Sequence, residues 1–428
     1  MPTSWPPYRP RLKTENQAVN EGITHSLGYP VLFHWAVLAI VGGLLLFAAL
    51  KHILSLLAIT IFISVLAVLS RLLSWRALKK LFCQMSLSEN RAFPGEKINL
   101  SLVITNSKRL FLSWLDTEVE LPYKLVTGKA TGISPYTKER LRWATSISGG
   151  QQLSWKHTIE CQRRGEYWLG PLRLCSGDTF GLFPRELVLP IFKPLLVYPR
   201  IVPIEKLGLP LRQLVGERVI PRSIYEDASL TMGSRDYHRD DPFKRIHWKA
   251  SARLSQLQVR QYESTTSLSL LLILDVSSFR TESQADEELF ELAVTTVASL
   301  GFEAYRQDLP FGLIANSVPE IEIPIGNGRS QLMLVLESLA PLQVGSRRSL
   351  HQELDKYRAI LPLGASMVVV SGVLSPSTIS LVHKLRHAGH SLLLVNIGDG
   401  TSPPHLHGVP VFSVSFQADI SRLGAGRL

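Results

Sequence analysis

Cysteine is scarce in this chain: Cys83, Cys161 and Cys175 are an odd number, and no two of them stand at Cys-x-x-Cys spacing. That speaks against a disulfide framework and against a thiolate zinc site, and it suits a reducing compartment. Charge is thin as well, with 19% charged against 45% hydrophobic residues, a more apolar balance than a typical soluble chain carries. The sequence signatures of catalysis are missing: there is no Gly-x-Ser-x-Gly elbow and no His-Glu-x-x-His helix. Gly326-Asn327-Gly328-Arg329-Ser330 lacks the spacing and the lysine of a phosphate loop, and Gly398-Asp399-Gly400 reads as an ordinary turn. No internal repeat is visible.

Long apolar runs are present instead. Val31 to Leu50 and Ile53 to Ser70 each have roughly the twenty residues that span a bilayer, separated only by Lys51-His52. Residues 31–70 are therefore expected to form two transmembrane helices. A signal peptide is disfavoured because the apolar block is doubled, lies far from the start and has no small-residue cleavage pattern after it. Arg9, Arg11 and Lys13 precede the pair and Arg71, Arg76, Lys79 and Lys80 follow it, whereas the tip offers little beyond Lys51. The positive-inside rule then places both termini in the cytoplasm, with the chain in the cell (inner) membrane. Residues 1–30, with Pro2, Pro6, Pro7 and Pro10 and no apolar block, are expected to be a disordered tail.

Residues 83–200 change to short alternating runs such as Ile98-Asn99-Leu100-Ser101-Leu102-Val103-Ile104, bounded by Pro94-Gly95, Asn106-Ser107 and Gly149-Gly150, which predicts antiparallel strands in a β-sandwich. Residues 201–232 are read as a linker that continues a proline-bearing stretch beginning at Pro194. Residues 233–428 alternate buried strands, at Leu268 to Asp275, Phe311 to Ala315, Met367 to Ser371 and Leu392 to Ile397, with helices at Asp286 to Ala304 and Ser377 to His387. The fold class is α/β plus β, the last part holding a mostly parallel sheet.

The densest stretch runs from Gly233 to Glu263 and crowds seven Lys or Arg residues with Asp236, Asp240 and Asp241 and with four aromatic residues. Asp241-Pro242 reads as a helix opening, and Phe243, Ile246, Ala250 and Leu254 fall on one apolar stripe that leaves Lys244, Arg245, Lys249 and Arg253 off it. Trp248 is expected to be buried as a latch, and Lys244 and Lys249 to be exposed. His238, His247, Asp240 and Asp241 are read as an ion-pair network in preference to a metal cluster.

At these residues the chain resembles the domain-of-unknown-function-58 family, whose hallmark matches Gly233, Arg235, Tyr237, Asp240, Asp241, Arg245, Ile246, Trp248, Lys249, Ala252 and Arg253. It departs at His247, where the family usually has Asp, and at Asp240, which replaces a Gly. Arg163-Arg164-Gly165-Glu166-Tyr167 and Asp178-Thr179-Phe180-Gly181-Leu182-Phe183 resemble two further family elements, with Thr179 replacing a Pro; turn geometry and core packing are the expected roles of these residues. The resemblance implies a von Willebrand factor A-like C-terminal domain, whose fold holds a divalent cation through Asp-x-Ser-x-Ser, a distant Thr and a later Asp. Asp275 and Ser277 match, Phe279 takes the second serine position, Gly372 stands where an Asp often does, and Ser330 is the nearest candidate for the Thr. Hard cations want several converging oxygens, so no bound cation is expected from this degenerate set.

The reading is a membrane-anchored, cytoplasm-facing protein-binding or assembly module without catalysis of its own. The resemblance adds one partner, a MoxR-type AAA+ ATPase served by an adaptor. The competing readings are a nucleic-acid-binding module using the basic-aromatic stretch 233–263, and a metal-dependent hydrolase at Asp275.

Overall fold

A computed structural model describes residues 23–26, 35–51, 54–122, 125, 138–207, 231–238, 241, 243–262, 269–280, 283–345, 350, 352, 365–388, 390–398, 406 and 409–414. The chain divides into two units, Met1–Pro199 and Arg200–Leu428.

The first unit joins helices to β-structure. The apolar runs fold as α1 (Trp35–Leu50) and α2 (Leu54–Ala77), so the second helix continues about two turns beyond Ser70, where the apolar run that marks it ends. By length and composition α2 can cross a membrane, and it exposes Leu54, Ile59, Phe62, Ile63, Val65, Val68, Leu69 and Leu72. The expectation of a disordered tail over residues 1–30 is corrected at one place. Ile23–Ser26 form β1, which pairs antiparallel with β10 (Arg185–Leu189); the rest of that tail lies outside the described residues. Four residues need no core of their own when they borrow the hydrogen-bonding edge of an existing sheet.

The remaining strands are β2 (Leu81–Leu87), β3 (Arg91–Ala92), β4 (Lys97–Asn106), β5 (Leu112–Pro122), β6 (Lys138–Ile147), β7 (Gln152–Glu160), β8 (Gly165–Leu169), β9 (Leu172–Ser176) and β11 (Lys193–Val197). They make sheets ordered β1-β10-β9-β5-β6, β2-β4-β7 and β3-β11-β8. Along β4, Ile98, Leu100, Leu102 and Ile104 are buried alternately, as a two-residue period requires, and they join residues of β2, β5, β8, β9 and β11 in one core.

In the second unit, β12 (Thr231–Asp236) and β13 (Gln258–Tyr262) form an antiparallel ribbon around a short helix, α3 (Trp248–Leu254). Beyond it lie β14 (Leu270–Leu274), α4 (Gln284–Arg306), β15 (Phe311–Ala315), β16 (Ile321–Gly326), α5 (Gly328–Leu339), β17 (Ser366–Ser371), α6 (Pro376–His387), β18 (Ser391–Ile397) and β19 (Val411–Val414). The sheet order is β16-β15-β14-β17-β18-β19; all neighbours run parallel except β16, which is antiparallel at one edge. β14 is buried at every position, as a central strand covered on both faces must be. Leu271 and Ile273 share a core with Leu381, Val382 and Leu385 of α6, while a Cβ on Gly301 of α4 would lie 3.7 Å from Leu272 and 3.8 Å from Val335 of α5. Helices thus cover both faces. The sheet order reverses at β14, so the crevice beyond the carboxyl ends of β14 and β17 is the topological switch point.

Candidate functional site

β14 delivers Asp275 to that switch point. Its backbone amide donates to Val370 of β17 at 2.9 Å, and its side chain is 2% exposed. Three side chains donate to the buried carboxylate: Ser277 Oγ to Oδ1 at 2.6 Å, Asn316 Nδ2 to Oδ1 at 3.1 Å, and Thr378 Oγ1 to Oδ2 at 3.3 Å. Asn316 also accepts from the Val276 amide at 2.6 Å and donates to Ser277 Oγ at 3.1 Å, which ties the turn after β14 to the end of β15. Thr378 comes from the first turn of α6, where Ser375 caps its amide at 3.2 Å. Ser278 Oγ accepts from the Gly372 amide at 2.8 Å and so ties the same turn to the end of β17.

Whether this set suits a divalent cation is decided by its oxygens. Phe279, 8% exposed, packs edge-on against Phe290 with ring centroids 5.5 Å apart, and its ring lies over Gly372. A Cβ on Gly372 would fall 2.7 Å from Phe279 Cε1. The ring therefore fills the space in which a carboxylate at position 372 would stand. One carboxylate and a few hydroxyls already engaged with each other fall short of the six or more oxygens such an ion takes, so the residues present do not fit it. Among the described residues no group of three or more His, Cys, Asp or Glu could hold a metal ion.

Of the residues singled out in the sequence, Asp275 and Ser277 meet and Ser330 does not. Ser330 is the third residue of α5, not part of a loop, and α5 starts at the amino ends of the parallel strands, opposite Asp275, where Asn327 Nδ2 donates to Asp308 Oδ1 at 3.0 Å just before β15. An antiparallel β16 carries the chain to that end, which sequence spacing alone does not disclose. Asn316 and Thr378 were missed. Their signals were positional: an Asn directly after a buried strand, and a Thr in the first turn of the helix that follows β17.

The motif stretch is more exposed than its pattern suggests. Asp241 does not open a helix. Its carboxylate takes a bidentate contact from Arg235, at 2.8 and 2.6 Å, and accepts from the His238 amide at 2.9 Å, so it closes a turn upstream. Those bonds, the arginine first and the amide next, hold its pKa below the usual carboxylate range. Phe243–Arg245 form a single tight turn, Ile246 bridges to Val259 of β13, and α3 starts only at Trp248, where His247 Nδ1 accepts from the Ala250 amide at 3.0 Å. With the helix delayed, the expected stripe breaks: Ile246 is 4% exposed, Phe243 is 74% and Leu254 is 60%. Trp248, at 68%, is on the surface and is not a buried latch. Tyr237 stacks on Phe243 with centroids 5.9 Å apart, and Lys244, Lys249 and Arg253 are exposed as well. Asp240 and the Arg245 side chain lie outside the described residues.

In the first unit the two shorter elements behave as turns, with one exception. Tyr167 OH donates toward the carbonyls of Arg163 and Arg164, at 3.0 and 3.1 Å, around Gly165, which has a φ of +155° and where a Cβ would stand 3.0 Å from the ring. Asp178 Oδ1 and Oδ2 accept from the amides of Phe183 and Phe180 at 2.8 and 3.1 Å. Phe183 is buried, but Phe180 and Leu182 are 62% and 41% exposed, so core packing does not account for them.

Residues 233–402 match the family described as "Protein of unknown function DUF58". The chain is 27% identical over 180 residues to the uncharacterized protein YeaD of Bacillus subtilis, a match covering 41% of this chain and 42% of that one. It is 28% identical over 172 residues to the uncharacterized protein Rv1480 of Mycobacterium tuberculosis, covering 39% and 54%. The match thus spans about half the length of these relatives. Among solved structures, the CARDB domain of a Pyrococcus furiosus protein covers 27% of this chain and 91% of its own length at 8% identity, with a TM-score of 0.19, too low a superposition to speak for fold.

Proposed function

We propose that this chain is a membrane-anchored, cytoplasm-facing assembly module whose C-terminal domain is von Willebrand A-like and works by binding protein, not by chemistry. The observation that carries it is the closed switch point. Where an open α/β sheet keeps its ligands, the Asp275 carboxylate is satisfied by Ser277, Asn316 and Thr378, and Phe279 fills the remaining space. A carboxylate engaged in this way, beside a ring that fills the space at Gly372, favours a domain that acts through its surface. A sheet of order β16-β15-β14-β17-β18-β19 with an antiparallel edge strand supports the von Willebrand A-like reading.

The membrane reading rests on α1 and α2. The strand before α1 and the strands after α2 belong to the same unit, which supports a hairpin with both outer ends on one side. Thr60 and Ser64 inside α2 donate to the Leu56 and Thr60 carbonyls, at 2.5 and 2.7 Å, so neither hydroxyl needs water as a partner. The exposed ring and cation set at Phe243, Lys244, Trp248, Lys249 and Arg253 is the surface offered to the partner. The partner proposed is a MoxR-type AAA+ ATPase.

The test is co-purification of the detergent-solubilised chain with that ATPase in the presence and absence of ATP. Nucleotide-dependent association, weakened by Trp248→Ala with Lys249→Ala, is the expected result. Hydrolytic turnover that disappears in Asp275→Asn would replace this reading with the hydrolase.

A further inference from the structure

The unexplained side chains of the first unit converge on the end of α2. Its 24 residues are about 36 Å long at 1.5 Å each, whereas a hydrocarbon core takes about 30 Å, so the last turn, from Ser74 to Ala77, stands at headgroup level. Two loops are fastened to that turn. Ser74 Oγ donates to the Phe183 carbonyl at 2.5 Å, which holds the loop 178–183; Lys108 Nζ donates to the Arg76 carbonyl at 3.0 Å and to the Ala77 carbonyl, which holds the loop 107–111. The first loop is stiffened from within by the two bonds to Asp178 and by Trp114 Nε1, which donates to the Asp178 carbonyl at 2.9 Å.

On these fixed loops the apolar side chains point outward. Phe111 is 56% exposed, Phe180 62% and Leu182 41%, and Trp75 on the same turn of α2 is 48%. Cations surround them: Arg76, Lys79, Lys80 and Arg109 are exposed, and Lys79 Nζ lies 3.3 Å over the Trp75 ring. Aromatic rings and lysines at the level where a helix leaves the bilayer are what the interface favours, the rings at headgroup depth and the cations among anionic phosphates.

We propose that the loops 107–111 and 178–183 form an interfacial collar around the exit of α2, with Phe111, Phe180 and Leu182 entering the lipid surface and Lys79, Lys80 and Arg109 meeting anionic headgroups. This rests on the membrane-spanning reading of α2. The collar makes the first unit sit on the bilayer at a fixed depth instead of swinging from a tether, and it gives the Asp178 to Phe183 element a role beyond its turn.

The test uses the full chain in lipid nanodiscs containing phosphatidylglycerol, with a nitroxide at one introduced cysteine at a time in a Cys175→Ser background, Cys83 and Cys161 being buried. Labels at Phe180→Cys and Leu182→Cys are expected to relax with oxygen in preference to a water-soluble nickel chelate. Lys97→Cys, at the far end of the ten-residue strand β4 and about 30 Å away, is expected to show the reverse. Ile63→Cys, midway along α2, separates the two readings: if it meets water, the membrane span fails, whereas if it meets lipid while Phe180 and Leu182 behave like Lys97, the collar alone is overturned. Labels shielded from both reagents would overturn it in favour of a protein partner. Depth unchanged in zwitterionic discs would overturn the part given to the cations.

Discussion

The Phe279 ring and Gly372 occupy each other's space: a single added carbon on Gly372 would stand 2.7 Å from Phe279 Cε1 and 2.9 Å from Cδ1. The two departures from a cation-binding pattern are therefore one structural event. Gly372→Ala should destabilise the chain by about 1–3 kcal/mol, because the ring is pinned by Phe290 and cannot swing away freely. Adding Phe279→Ala should recover part of that loss, since residues in contact are not additive. Thermal melts of the three variants check it; a Gly372→Ala chain that melts like wild type contradicts it.

The same pair predicts metal behaviour. Manganese titration of the purified chain is expected to show no saturable binding tighter than roughly millimolar, since too few oxygens converge near Asp275. A tight titration abolished by Asp275→Ala would show that other groups complete the site.

Exposure decides the fate of the motif residues. Trp248, at 68% exposed, should tolerate Trp248→Ala within about 0.5 kcal/mol. Ile246, at 4%, should lose about 2–5 kcal/mol on Ile246→Ala. Chemical denaturation of both variants measures the contrast, and a reversed order would return Trp248 to the interior.

Burial pushes the Cys83 and Cys161 thiols up to about 12 and, assisted by Glu186 and Asp116, Cys175 up to about 11. The nucleophilic thiolate of Cys175 is thus rarer in the native chain than in the unfolded one. Iodoacetamide at pH 8 should label the unfolded chain quickly and the native chain slowly. Because the folded thiols keep protons that unfolded ones lose, their contribution to stability is complete below pH 9.0 and declines as pH rises toward 11. Fast native labelling of Cys83 or Cys161 at pH 8 would contradict their burial.

Much of the α/β part was legible because its signals are local. Leu270 to Leu274 and Val368 to Val370 are unbroken apolar runs since both faces are covered, and α4 opens on a capping box between Ser283 and Asp286. The alternation of β4 announced its single buried face. The motif was harder, because Asp241 has two uses that look alike in sequence: it can cap amides that follow it or bind Arg235 and the His238 amide that precede it, and only folding chooses. Ser330 is hard to place for a related reason, since the antiparallel course of β16 starts its helix at the amino ends of the parallel strands, away from Asp275. Asn316 and Thr378 join Asp275 across 41 and 103 residues, separations that carry no pattern.

The central claim, an anchored module whose two ends share the cytoplasm, is tested most directly by protease protection. Tags placed at residue 1 and residue 428 are predicted to remain intact when protease is added outside intact cells, and to be cleaved together once the membrane is opened. Cleavage of the C-terminal tag from outside would contradict the topology and the partner proposed for it.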